Sequence, residues 1–76
     1  MKITIESTDK IVTLNGVPAR IWQGKTDSGV ELHAYVTRVA VRNDAPAEEQ
    51  ARFARELQEH AAPSADVQGI PTRLIL

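Results

Sequence analysis

The chain of 76 residues contains no cysteine, which excludes disulfide stapling, thiolate metal sites and cysteine nucleophiles together. Large aromatic and thioether side chains are scarce. Trp22, Tyr35, Phe53 and Met1 are the whole supply, so the core has to be built mostly from Val, Ile, Leu and Ala. Charge of either sign is not in excess: nine Lys and Arg stand against ten Asp and Glu, for a net charge of -1. The basic residues are also scattered from Lys2 to Arg73. A duplex-binding domain normally carries a basic excess, so the balance argues against a nucleic-acid partner. No apolar run approaches the roughly 20 residues that span a bilayer. The opening Met1-Lys2-Ile3-Thr4-Ile5-Glu6 alternates polar and apolar residues rather than forming an apolar h-region. A soluble, cytoplasmic protein without membrane contact is therefore expected. The length corresponds to a single domain, 1–76, and a chain this short buries only about 60% of the surface it exposes when unfolded. Association is the remaining common source of stability, and a homodimer is expected.

What the chain does contain is turn chemistry. Asn15-Gly16 and Thr26-Asp27-Ser28-Gly29 divide the first forty-two residues. Asn-Gly favours a two-residue type I′ turn because both positions need positive φ. That turn places Leu14 opposite Val17 and Val12 opposite Ala19. Pro18 cannot donate to a ladder and must take a non-bonded or outward position. Before this hairpin, Lys2 to Glu6 reads as a short first strand, broken at Ser7-Thr8-Asp9, and Lys10 to Leu14 as a second.

For the second turn, Asp27-Ser28 as the two central residues sets Ile21 opposite Ala34 and Trp22 opposite His33. Val12, Leu14, Val17, Ala19, Ile21, Leu32, Ala34 and Val36 then share one face, and Ile11, Thr13, Arg20, Trp22, His33, Tyr35 and Thr37 the other. A slip of one residue would place Trp22 beside Ala34 and turn His33 and Tyr35 to the face of Ile21, since strand side chains alternate. The first register segregates better and is the expectation. Past Val36 the apolar phase moves to Val39 and Val41, as a bulge near Thr37-Arg38 would produce.

Asn43-Asp44-Ala45-Pro46 reads as a helix start, with Asn43 or Asp44 as N-cap, Pro46 in the first turn and Glu48 and Glu49 near the positive end of the dipole. The helix is expected to run to about Ala61 and stop before Pro63. Phe53, Ala54, Leu57 and Ala61 would form its apolar stripe, with Glu48/Arg52, Arg52/Glu56 and Arg55/Glu59 as pairs four apart on the wet side. Ala62 to Gly69 reads as a loop or short turn. The apolar run Ile70 to Leu76 is expected to add a last strand or to cross to a second subunit. The predicted fold class is α+β, an antiparallel β-meander of about four strands (β-β-β-α-β) with one helix packed on one face.

The binding candidates are Arg20, Trp22, His33 and Tyr35, because aromatic planes beside a guanidinium suit a protein hot spot or the stacking of a planar anion. Against that stands the plainer possibility that Trp22 and Tyr35 are simply covered by the helix or a second subunit. No catalytic residue, cofactor or metal site is predicted. Glu56 and His60 sit four apart on the expected helix without a third ligand. His33 stands alone. Ser7, Ser28 and Ser64 lie in turn-like or loop contexts, outside a nucleophile-elbow pattern. The glycines form no phosphate-cradling motif.

Three stretches, Met1-Lys-Ile-Thr-Ile-Glu-Ser-Thr, Leu14-Asn-Gly-Val-Pro-Ala-Arg-Ile-Trp22-Gln-Gly24 and Ala62-Pro-Ser-Ala-Asp with Ile70-Pro-Thr-Arg-Leu-Ile-Leu, give most of the chain a likeness. It resembles small uncharacterised proteins encoded in phages and prophages of Gram-negative bacteria. The resemblance carries no motif of known chemistry and transfers no site residue. It implies a cytoplasmic role in infection or lysogeny, among accessory proteins that bind host factors or counter host defence. The expected function is thus a noncatalytic accessory protein that binds a host protein. The alternative is a binder of a nucleotide-like anion in a pocket completed by a second subunit. A flat exposed aromatic patch would favour the first, a concave one with Arg20 or Arg38 converging the second, and an additional buried titratable group would favour an enzyme.

Overall fold

Twelve residues of continuous strand open the chain in a computed structural model that describes residues 1–74. Strand β1 runs Ile3–Leu14, β2 Val17–Thr26 and β3 Glu31–Val36, followed by helix α1 at Ala47–Glu56 and a one-turn helix α2 at Ala65–Gln68. The fold is α+β, with a three-stranded antiparallel sheet β1-β2-β3 and two helices. Arg73–Leu74, β4, lies parallel to Thr13 and Leu14 on the far edge of β1, giving the order β3-β2-β1-β4. Ile75 and Leu76, the end of the expected terminal strand, lie outside the described residues.

The first hairpin forms as its turn dictates. Asn15 and Gly16 have φ of 48° and 83°, and Leu14 pairs with Val17 and Val12 with Ala19. Pro18 faces Thr13 beyond the last residue of β3, where no ladder needs its missing donor.

The two short strands expected before Asn15 are one strand with a bulge. Between the pairs Ser7↔Trp22 and Ile11↔Arg20, Thr8, Asp9 and Lys10 stand against Ile21 alone. Two extra residues keep side-chain parity, so β1 does not change faces across the irregularity. Thr8 closes the gap. It is fully buried, its Oγ1 donates to the Ile21 carbonyl at 2.7 Å and accepts from the Lys10 amide at 3.2 Å.

The second hairpin departs from the expected register. Its loop has three residues, not two: Gly29 takes φ of 93°, the Gly29 amide donates to Thr26 O at 3.0 Å and the Thr26 amide to Val30 O at 2.9 Å. A turn followed by one left-handed residue is the common three-residue hairpin loop. The extra residue moves the pairing by one, so Ile21 faces Tyr35, Trp22 faces Ala34 and Gln23 faces His33.

One face of the sheet carries the buried cluster Val12, Ala19 and Ile21, joined by Val67 of α2, with Leu14 and Ile70 packed against it. Three tethers bring the segment leading to α2 into place. The Ala61 amide donates to Ser7 O at 2.8 Å, the Gln23 side-chain amide donates to Ala62 O at 3.3 Å, and Gln23 Oε1 accepts from the Ser64 amide at 2.9 Å. Ser64 then caps α2, accepting from the Val67 amide at 3.3 Å.

Helix α1 is shorter than the sequence suggested at both ends. Pro46 is its N-cap, with no side-chain cap; the Asp44 carboxylate contacts Arg42 at 3.2 Å. Glu48 and Glu49 occupy the first turn as expected. The helix ends at Glu56, ahead of Ala61, and buries no residue. The three expected pairs along it are not formed. Arg42–Asp44, largely exposed, is the one ion pair among the described residues, and such pairs contribute little.

Candidate functional site

Of the four residues expected to share a surface, two do. Arg20 and Trp22 point to the same side of β2, together with Ile11 and Ser7 of β1 and Ala34 and Val36 of β3. His33 and Tyr35 lie on the opposite face because of the extra loop residue. Tyr35 stands across from Ile21 and is 39% exposed. His33 borders a separate hollow of about 360 Å³ with Glu6, Gln23, Glu31, Ser64 and Asp66. The polar-aromatic face predicted from sequence is therefore divided between two surfaces.

Around Arg20 and Trp22 the chain makes a groove. After β3 ends at Val36, residues Thr37 to Ala40 border the same space as β2, and a concavity of about 580 Å³ is lined by Ile11, Arg20, Trp22, Val36, Arg38 and Val39 among others. That volume lies within the ordinary range for small-ligand sites. A second recess of about 150 Å³ shares Trp22 and Val39 with it and adds Phe53, Glu56 and Leu57. The two arginines differ in their tethering. Arg20 Nη1 donates to the Thr8 carbonyl at 2.8 Å, which holds the guanidinium beside the bulge with its other donors to spare. Arg38 is exposed. Ile11 and Val39 are each about half exposed, at 47% and 49%, and Leu57 is 38% exposed, so the rim is apolar as well as cationic.

Ser7 and His60 form the other polar pair. The Ser7 hydroxyl donates to Glu59 O at 3.1 Å and lies 2.8 Å from His60 Nδ1. The pair ties β1 to residues 59–61. His60 was expected on the helix beside Glu56, whereas the helix has ended before it. Among the described residues no group of three His, Asp or Glu side chains is placed to hold a metal ion. Nor, among those residues, is any helix long and apolar enough to cross a membrane.

The groove residues that sequence reasoning did not place with Trp22 are Val39, Phe53 and Leu57. The shift of apolar phase after Val36 was the visible signal, since residues leaving a strand's alternation have to cross to one of its faces. No protein-family model, curated protein or solved structure matches the chain.

Proposed function

We propose that the chain is a noncatalytic accessory protein of the phage and prophage kind, which binds a host protein in the bacterial cytoplasm through the Trp22 groove. The observation that supports this is the apolar rim of Ile11, Val39 and Leu57, all 38% exposed or more, around a half-buried Trp22 and two arginines. Trp and Arg are the side chains that dominate interface energetics when ringed by near-neutral contacts. In this reading the segment Arg73–Leu74 serves as a fourth strand and does not enter the site. The test is capture from host lysate with wild type, Trp22→Ala and Arg38→Ala, each shown to be folded by circular dichroism. A protein held by wild type, lost by both variants and kept by Tyr35→Ala on the opposite face supports the reading. Equal capture by all four removes the groove from it.

One observation favours a second reading. Arg20 and Arg38 border the same concavity as Trp22, the arrangement a nucleotide-like anion would use, with its ring on the indole and its phosphate between guanidinium groups. Thermal shift with nucleoside mono- and diphosphates tests it. Stabilisation that Arg38→Ala abolishes favours this reading over the first.

A further inference from the structure

The outer edge of β3 is a template, and its geometry is specific enough to name what pairs with it. β1 has its far edge met by Ala61 at Thr8, by Thr72 O accepting from the Thr13 amide at 2.6 Å and by β4. β3 is the other end of the sheet, and among the described residues no backbone bond reaches its outer side. The loop fixes which groups are free there. Because the Thr26 amide donates to Val30 O, alternation of the antiparallel ladder turns the backbone groups of Leu32, Ala34 and Val36 toward β2. Those of Glu31, His33 and Tyr35 point outward. Natural edges are usually blunted by Pro, Lys, a bulge or an inward charge. Glu31-Leu32-His33-Ala34-Tyr35-Val36 has none of these past its first residue.

We propose that two copies of the chain dimerise by pairing β3 with β3 in antiparallel order about a two-fold axis at Ala34, making one continuous sheet. An axis normal to the sheet keeps both copies the same way up only when it passes through a residue, so that like faces meet. Centring on Ala34 uses the whole strand. His33 then lies opposite Tyr35 of the second copy as a hydrogen-bonded pair, twice by symmetry, which uses the outward groups. Leu32 lies opposite Val36 of the second copy and Ala34 opposite itself as non-bonded pairs, and no like charges meet. The aromatic pairs and the aliphatic pairs fall on opposite faces, each a favourable cross-strand combination.

The chain also exposes more surface than a compact monomer of its mass. Its accessible area is 5839 Å², whereas a compact monomer of this mass exposes roughly 4600 Å². The radius of gyration is 13.9 Å against about 11.4 Å for a compact chain of this length. The excess area exceeds the roughly 800 Å² that each partner buries in a standard interface. The pairing also bears on the groove, although it does not rest on it. Trp22 is the β2 neighbour of Ala34, so the dimer sets both Trp22 positions in one row on one face, three strand spacings or about 14 Å apart.

Sedimentation equilibrium of the full chain over a wide concentration range gives the first readout, and two chain masses are expected at the upper end. His33→Pro removes an outward amide that the β2 ladder does not use, and such a position tolerates proline. It should give one chain mass with an unchanged circular dichroism spectrum. Ala34→Cys supplies the register. The chain has no other cysteine, and a non-bonded antiparallel pair sets Cα atoms about 4.5 Å apart, within disulfide range. Mild oxidation should yield a covalent dimer, and adding His33→Pro should abolish it. If His33→Pro fails to fold, the Ala34→Cys cross-link decides alone. Wild type at one chain mass throughout overturns the proposal, as does a dimer in which Ala34→Cys stays reduced.

Discussion

Thr8→Val is the substitution whose cost follows most directly from the structure. The side chain is fully buried, and valine has nearly its shape, so packing is left almost unchanged and the hydroxyl is what disappears. That hydroxyl stands in for a ladder partner, since Ile21 has no opposite residue on β1 and its carbonyl accepts from Thr8 Oγ1 at 2.7 Å. Leaving a buried carbonyl unsatisfied costs about 1–3 kcal/mol. The Lys10 amide, at 3.2 Å on the same oxygen, is only part-buried and recovers some of its loss from water. Together the change should cost about 2–3 kcal/mol. A domain of this length has about 4–11 kcal/mol in all, and the melting temperature should fall by about 10–20 °C. Thr8→Ser keeps the hydroxyl and loses a methyl, worth about 1 kcal/mol. Urea unfolding of wild type, Thr8→Ser and Thr8→Val should therefore rank in that order with an unchanged m-value. Thr8→Val as stable as Thr8→Ser would refute the account of the bulge.

Gly24→Ala should destabilise at least as much, because a Cβ there would fall on the Thr4 carbonyl oxygen and within 2.7 Å of Ile5 Cα. Both are backbone, so relief needs a strand shift, and overpacking of this kind costs about 1–3 kcal/mol or more; a melting temperature equal to wild type would contradict the close approach. Gln23→Leu removes both tethers to Ala62 and Ser64, which are exposed, so global stability should fall by only about 1 kcal/mol. Amide exchange at Val67 and Gly69 should accelerate more than exchange in β2. Trp22→Ala should cost less than the 3 kcal/mol at which truncation of a buried aromatic begins, because the indole is only half-buried; a larger loss by urea titration would make Trp22 core and not contact surface.

The first hairpin was legible from its turn out to the bulge, because its turn type follows from two residues. Asn15 and Gly16 both take positive φ, and everything on β1 and β2 from Ile11 to Trp22 falls on the face the sequence assigned. The second hairpin was not, although its turn residues were recognised. Thr26-Asp27-Ser28-Gly29 is compatible with two loop lengths, and only the left-handed Gly29 together with the Thr26–Val30 closure selects the longer. Side-chain segregation favoured the wrong one, because it assumed that one face of the sheet is apolar and the other polar. The helix ends were lost to local competition. Asp44 pairs with Arg42 instead of capping, and residues 59–61 are drawn to the edge of β1 by Ser7. Helix α2 had a readable start in Ser64, but a single turn leaves no periodicity to find.

The observed register makes sense once both faces are allowed to be apolar. Ile3, Ile5 and Ile11 share a side with Trp22, Leu32, Ala34 and Val36, while Val12, Ala19 and Ile21 bury with Val67 on the other. A sheet of this kind needs a cover on each side, and the described residues offer one short helix and one single turn. Placing Ala34 beside Trp22 leaves the indole room among aliphatic neighbours and brings Val39, Phe53 and Leu57 to its border. Placing Tyr35 beside Ile21 sets an aromatic ring next to the core residue nearest the open edge. The incomplete cover underlies both proposals. Where α1 leaves Ile11, Val39 and Leu57 exposed, the sheet face becomes a groove with arginines at its margin, and where β3 ends the sheet, a second copy can continue it. Both proposed contacts arise from the same shortage, a sheet with more apolar surface than the described helices cover.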